Sequence, residues 1–217
     1  HDGDADRTLI ADEKGNLLSG DRVFAFAALN YLQHRKRPRI ITTVATSKVI
    51  DDVAQKLNGQ VVRTRVGEPE IVGEYKRNGG DIGGEENGGV LFFDWTPCRD
   101  GIMTAVQFVL VLAESETTVS ELNSTLPQYH QVKQRVECPN ELKPRVLQQL
   151  SEQEWGGQLT TIDGIRIDFD DGWLLLRPSG TEPIFRCFAE AKTAKRAAEL
   201  AELGMARLKE AVEKSSS

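Results

Sequence analysis

Three carboxylates stand at alternating positions at the start of the chain, Asp2, Asp4 and Asp6, and Arg7 follows them. With Gly3 allowing a tight bend, the three can converge on one hard cation, and an all-oxygen set suits Mg²⁺ over softer metals. Three protein ligands leave positions open for water and a phosphate oxygen, as phosphoryl chemistry requires. Two competing readings are a frayed acidic terminus and a fragment of a calcium loop. Counted from Asp2, Glu13 falls on the twelfth position of such a loop, but Asp6 stands at the sixth, where glycine belongs.

Two more loops could carry chemistry. In the run at 83–89, Gly-Gly-Glu-Glu-Asn-Gly-Gly, glycines let the backbone approach a ligand closely. Glu85 can accept hydrogen bonds from two adjacent sugar hydroxyls, and Asn87 can accept and donate. Two residues apart, they share a side of an extended loop. A solvated glycine-rich turn is the alternative. In the run at 177–183, Arg-Pro-Ser-Gly-Thr-Glu-Pro, Arg177 offers a bidentate fork for phosphate. Ser179 and Thr181 offer hydroxyls, and a turn at Gly180 can present backbone N–H groups to an anion. A plain hairpin turn is the competing reading. No Walker loop occurs.

The elements that position these loops change character along the chain. Residues 9–11 read as a short strand ending in a turn at 14–16, and Ser19 or Asp21 can cap a helix running to about Gln33. Strands at 39–46, 60–66 and 90–93 alternate with helices at 48–57, 68–77 and 100–114, the last strongly apolar. That alternation predicts βαβ units in a mixed or parallel sheet. Six glycines within 78–89 read as something other than ordinary structure. After Glu116 the pattern becomes α+β with an antiparallel sheet. A short helix at 118–126, a strand at 128–138 and a helix at 140–153 precede strands at 158–162, 165–169, 173–177 and 184–191. Asp163-Gly164 and Asp171-Gly172 are hairpin signals. A last helix capped by Thr193 runs to about Val212, with Ala194, Ala197, Leu200, Ala201, Leu208 and Val212 on one stripe and 215–217 fraying.

Composition narrows the function classes. A net charge of -6 without a basic run argues against nucleic acid. No apolar stretch of about 18 residues predicts a membrane span, and no large exposed apolar stripe is visible. Cys98, Cys138 and Cys187 stand far apart, which suits free thiols in a reducing cytoplasm better than zinc or a disulfide framework. His1, His34 and His130 read as a chain end and two loop or surface positions.

In their order, the three loops resemble those of the α-D-phosphohexomutase superfamily. Residues 2–7 match its metal loop D-G-D-x-D-R, and 177–181 match its phosphate loop R-x-S-x-T. Residues 84–88 match its sugar loop G-E-x-S-G except at Asn87, and Gly89 stands where many relatives have His. These departures resemble archaeal members, both phosphomannomutase/phosphoglucomutase types and phosphoglucosamine mutases. The resemblance covers the whole chain and implies the C-terminal half of a four-domain enzyme. Residues 1–19 would end domain 2, 20–115 would form the sugar-binding domain 3, and 116–217 the phosphate-binding domain 4.

It further implies interconversion of hexose 1- and 6-phosphates through an enzyme phosphoserine and a hexose 1,6-bisphosphate. Mg²⁺ would be held by Asp2, Asp4 and Asp6, the sugar by Glu85 and Asn87, and the non-reacting phosphate by Arg177, Ser179, Gly180 and Thr181. Arg7 would help neutralise the phosphoserine region, and Arg99 reads as structural. The family's Ser-His-Asn-Pro nucleophile is missing, since no serine here precedes a histidine. The abrupt start at the metal loop therefore implies a fragment or one half of a split enzyme, with the N-terminal half as its partner. The rival class is a non-catalytic sugar-phosphate-binding protein, and an intact aspartate triad argues against it.

Overall fold

A computed structural model describes residues 1–216, which fall into two units, His1–Gln128 and a second beginning at Tyr129. The first contains α1 (Gly20–Leu32), β1 (Arg39–Thr43), α2 (Val49–Lys56), β2 (Gln60–Thr64), α3 (Glu68–Asn78), β3 (Ile82–Gly84), β4 (Val90–Phe92), α4 (Gly101–Ser115) and α5 (Val119–Ser124). Its sheet has the order β2-β1-β3-β4. β1 lies parallel to β2 and β3, and β4 returns antiparallel. Helical crossovers force the parallel pairs, because parallel strands need a long connection. The β-branched run Ile40, Ile41, Thr42, Thr43 is wholly buried, as a central strand covered on both faces requires.

Ser19 takes the N-cap of α1 without a side-chain capping bond. Asp21 is buried instead, and its carboxylate accepts from Ser47 N at 2.8 Å, tying α1 to the loop before α2. The Arg22 guanidinium donates to the Asn123 side chain and to the Asn123 and Pro127 carbonyls, fastening the segment after α5 to the same helix. The strand expected at 9–11 is reduced to one bridge, Ala11 with Leu17.

The glycine run differs from expectation too. Its first part is regular strand, β3, and packing explains the glycines. A Cβ on Gly84 would come within 2.7 Å of the Phe24 ring of α1. On the other face, a Cβ on Gly83 would come within 2.6 Å of Ile71 of α3 and 2.9 Å of Phe93. Large side chains from two helices thus rest directly on the strand backbone. Gly84→Ala should cost about 1–3 kcal/mol through overpacking, read as a lower denaturation midpoint at unchanged slope.

α4 is also not what its apolar sequence suggests. Gly101, Thr104 and Phe108 are buried, with Phe108 edge-on to Phe26 of α1 at 5.6 Å. Ile102, Val106, Val109 and Leu110 are exposed at 66%, 48%, 60% and 44%. Spaced by four, three and one, they share one helix face, so an exposed apolar stripe is present after all. An all-apolar helix carries no mark in its sequence of which side is covered.

The second unit contains β5 (His130–Glu137), α6 (Lys143–Ser151), β6 (Gln158–Thr160), β7 (Ile165–Phe169), β8 (Gly172–Pro178), β9 (Ile184–Ala191) and α7 (Ala194–Ser216). All neighbours in the sheet order β5-β9-β8-β7-β6 are antiparallel. Leu174, Leu176, Phe185 and Cys187 pack with Val146 and Leu150 of α6 and Leu200 and Leu208 of α7 in one buried cluster. Thr193 Oγ1 accepts from Arg196 N at 3.2 Å, as a cap should. The buried stripe of α7 runs through Ala197, Leu200, Ala201, Gly204, Leu208, Ala211 and Ser215, while Ala194 is exposed. Fraying from 215 is not seen: the helix reaches Ser216, and Ser215 Oγ accepts from Gln149. Residue 217 lies outside the described residues.

Candidate functional site

In the metal loop, Asp2, Asp4 and Asp6 each bring a carboxylate oxygen within 4.8 Å of the others. The bend that achieves this sits at Ala5, at φ 60°, whose N–H donates to Asp2 O at 3.1 Å, rather than at Gly3. Arg7 folds back, with Nε 2.6 Å from Asp2 Oδ2 and 3.7 Å from Asp6 Oδ1. The hydrogen bond from Arg7 holds the Asp2 carboxyl below its usual range. Asp6 Oδ1 is buried, and among the described residues no hydrogen-bond donor satisfies it. A buried anionic oxygen without a donor, within a set of three carboxylates, fits a hard divalent cation. Glu13 does not close a calcium loop, for its carboxylate accepts from the Ser120 N–H and hydroxyl.

The same unit brings the sugar loop against the metal loop. Arg7 forms an isolated bridge with Gly89, and a cavity of about 250 Å³ is lined by His1, Asp2, Arg7, Leu9 and Asn87. Residues 85–88 form a turn, with Gly88 N donating to Glu85 O at 3.2 Å and Glu85 N to Gly89 O at 3.0 Å. The loop is therefore not extended, and the two-residue spacing does not set where its side chains lie. Gly88 needs to be glycine: its φ is +89°, and a Cβ would lie 2.8 Å from Thr8 O.

Glu85 is buried, with Oε1 accepting from Gly67 N at 3.1 Å and Oε2 3.7 Å from Arg99 Nη1. Burial pushes its carboxyl upward, and Glu86 adds to this. Arg99, the Gly67 N–H and the Asn87 side chain oppose them. Asn87 Oδ1 accepts from Gly89 N at 2.9 Å, which leaves its amide N–H₂ as the donor group that meets the Glu85 carboxylate.

Arg99 is more central than its sequence suggests. Its Nη2 is 2.5 Å from Asp6 Oδ2, and its Nε lies 3.0 Å from Glu68 Oε2, off the line of a hydrogen bond. With Glu85, the guanidinium thus neutralises carboxylates from the metal loop, the first turn of α3 and the sugar loop. Glu68 was not legible as a site residue. The only hint for Arg99 was a lone cation before an N-cap aspartate.

The phosphate loop joins β8 to β9. Arg177, next to the end of β8, has its Nε bonded to Asp163 Oδ2 at 2.6 Å, and its two terminal nitrogens make no hydrogen bond among the described residues. Arg186 of β9 lies directly opposite Arg177 in the register, so two guanidinium side chains share one face of the sheet. Ser179 is buried, its hydroxyl accepting from Glu182 N at 3.2 Å, whereas Gly180 and Thr181 are exposed. Gly180 is outside the left-handed region and a Cβ there would meet open space, so the turn does not depend on glycine. Asp163 and Arg186 escaped the sequence reading. The hairpin signal at Asp163-Gly164 was visible, but the role of its carboxylate depends on the β7–β8 pairing.

Comparison with known proteins agrees on one family. The family described as "Phosphoglucomutase/phosphomannomutase, alpha/beta/alpha domain III" matches residues 19–129, and its C-terminal domain matches 133–204. A "Phosphoglucomutase/phosphomannomutase" of Thermococcus kodakarensis is 43% identical over 213 residues, 97% of this chain and 46% of that protein. A "Probable phosphoglucosamine mutase" of Methanopyrus kandleri is 39% identical over 202 residues, 92% of this chain and 45% of that protein. Among solved structures, a phosphoglucomutase/phosphomannomutase family protein from Burkholderia thailandensis superposes with a TM-score of 0.85 at 24% identity, covering 96% of this chain and 45% of that one. The chain thus spans about half the length of the curated relatives it matches.

Proposed function

The chain belongs to the phosphoglucomutase/phosphomannomutase family, and from that premise we propose that it is the C-terminal half of a phosphohexomutase interconverting hexose 1- and 6-phosphates. The observation that carries the reading is the aspartate triad joined to the Glu85–Asn87 turn within one unit. Residues 1–19 then close domain 2, 20–115 form domain 3 and 116–217 form domain 4. Asp2, Asp4 and Asp6 would hold Mg²⁺, which when bound draws charge from a transferring phosphoryl group. Arg7 and Arg99 keep the carboxylates apart and directed by pairing with Asp2 and Asp6.

Glu85 and Asn87 take hydroxyls of the hexose, Glu85 as acceptor and Asn87 as donor. Arg177, with its Nε held by Asp163, directs its terminal nitrogens to the phosphate not in transfer, helped by Ser179, Gly180, Thr181 and the neighbouring Arg186. The bisphosphorylated sugar then turns within the site, so the same groups must serve both orientations. The partner is the N-terminal half, source of the phosphoserine, and the exposed stripe on α4 supports packing by that upstream half. The relatives named phosphoglucosamine mutases keep glucosamine phosphates beside mannose and glucose phosphates as substrates. Free thiols and a net charge of -6 favour a cytoplasmic enzyme. Among the described residues, no helix is long and apolar enough to cross a membrane.

The test is a coupled assay of the full-length enzyme on glucose, mannose and glucosamine phosphates. Glu85→Gln should lower kcat/KM on all of them alike, by about ten- to a hundredfold, as expected for losing a charged hydrogen-bond acceptor. Loss confined to one sugar would assign Glu85 to the 2-position, and full activity on every sugar would remove it from the site.

A further inference from the structure

Within its own sequence the phosphate loop is held by the bond from Glu182 N to Ser179 Oγ and by Pro178 and Pro183 at its shoulders. Gly180 and Thr181 are exposed, and a loop between two strands is ordinarily the mobile part of a hairpin. Its carbonyls, however, converge on a side chain from elsewhere. Lys143, the first residue of α6, is 9% exposed, and its Nζ donates to Ser179 O at 2.7 Å, Glu182 O at 2.6 Å and Asn140 Oδ1 at 2.7 Å. All three ammonium protons are used, and two go to the backbone at either end of the segment 179–182. Buried lysines without a partner carboxylate are uncommon, because desolvating the charge is costly. Here three oxygen dipoles take the place of water. Pro183 O, at the loop's exit, accepts from Cys138 N at 2.8 Å, and Ser179 N donates to Ile184 O at 2.9 Å.

From this we infer that Lys143 is a positioning residue of the phosphate-binding loop, clamping the carbonyls of Ser179 and Glu182 so that the opposite side of that backbone is presented to a phosphate. The inference rests on the phosphate-binding reading of Arg177 to Thr181. A carbonyl and the following N–H point in opposite directions along an extended or turning backbone. Drawing the Ser179 carbonyl onto the ammonium therefore turns the Gly180 N–H away from it. The clamp also places a full positive charge behind the loop without contact to the ligand, which favours an anion over a neutral sugar there. Lys143 is 36 and 39 residues from its carbonyl partners. Pro144 next to it suits the first turn of a helix, where a proline needs no N–H partner.

The experiment is steady-state kinetics of the full-length enzyme with Lys143→Met, Lys143→Arg and Arg177→Ala, using glucose 1-phosphate. Lys143→Met should raise KM by about tenfold, the loss of loop hydrogen bonds worth about 1–1.5 kcal/mol, with kcat within about threefold of the parent. Lys143→Arg, which restores charge and donors, should recover most of it. A merely structural lysine would lower thermal stability while leaving KM of the folded fraction unchanged, and that result overturns the inference. Should Lys143→Met not fold, Asn140→Ala removes one ammonium partner at an exposed position. It should raise KM in the same direction, and an unchanged KM would likewise overturn the clamp. Arg177→Ala separates the two levels. If it raises KM and the Lys143 variants do not, only the clamp is wrong, whereas if it too leaves KM unchanged, the loop does not bind phosphate.

Discussion

Asp4→Ala in the full-length enzyme should lower kcat by two orders of magnitude or more with little change in thermal stability. Asp4 is the clean probe of the three carboxylates. Asp2 is tied to Arg7 and Asp6 to both Arg7 and Arg99, so removing either takes an ion-pair partner from a cation as well as a carboxylate from the triad. Asp4 is exposed and makes no hydrogen bond or ion pair among the described residues, so its truncation subtracts only the proposed ligand. A bound divalent ion contributes several kcal/mol of charge stabilisation in phosphoryl transfer, and each 1.36 kcal/mol is tenfold in rate, which places the loss at about a hundredfold or above. Isothermal titration of Mg²⁺ should show weaker binding in the same variant. Parent-like turnover across a Mg²⁺ series would remove the metal from this loop.

The legibility of the fold and of the site differ for a physical reason. Residues whose partners are close in sequence were readable. Strand β9 was expected at its observed bounds, the Asp100–Met103 cap sits where the helix was expected to start, and the Asp171-Gly172 turn joins β7 to β8. Period and turn chemistry are local, so the chain itself states them. The convergence of the Asp2, Asp4 and Asp6 carboxylates was readable for the same reason.

What escaped was set by register and by backbone. Asp163 reaches Arg177 only because β7 and β8 pair with Ile165 opposite Leu176. Arg186 joins Arg177 only because β9 pairs with β8. Gly83 and Gly84 read as ligand-approaching glycines because a missing side chain carries no record of what fills its space. Here that space holds Phe24, Ile71 and Phe93. The exposed face of α4 could not be separated from its buried face, since both are apolar. Lys143 was the least accessible, because carbonyl oxygens are present at every residue and no side-chain pattern announces which of them a lysine will meet.

The 217-residue chain on its own should show no mutase turnover. On the proposed route the phosphoryl group is exchanged with a serine hydroxyl, and the lining of the metal-loop cavity offers no hydroxyl. Its lining is His1, Asp2, Arg7, Leu9 and Asn87. The nearest hydroxyl in sequence, Thr8, is buried and donates to Gly101 O at 2.6 Å, with His1 Nδ1 at 3.1 Å on its other side. That proton is committed to holding the loop onto the start of α4. Ser47 is buried against Val49 N, and Ser19, at the N-cap of α1, is not part of the cavity lining. Arg7, meanwhile, is paired with Asp2 and Asp6. Positioning and charge stabilisation lower a barrier only when donor and acceptor are both present, so none of the remaining groups can compensate. Conversion of glucose 1-phosphate to glucose 6-phosphate in a coupled assay should therefore stay at background with the purified chain. It should appear when the separately produced N-terminal half is added, in proportion to the complex formed. Robust turnover by the chain alone would require another nucleophile and would overturn the division of roles between the halves.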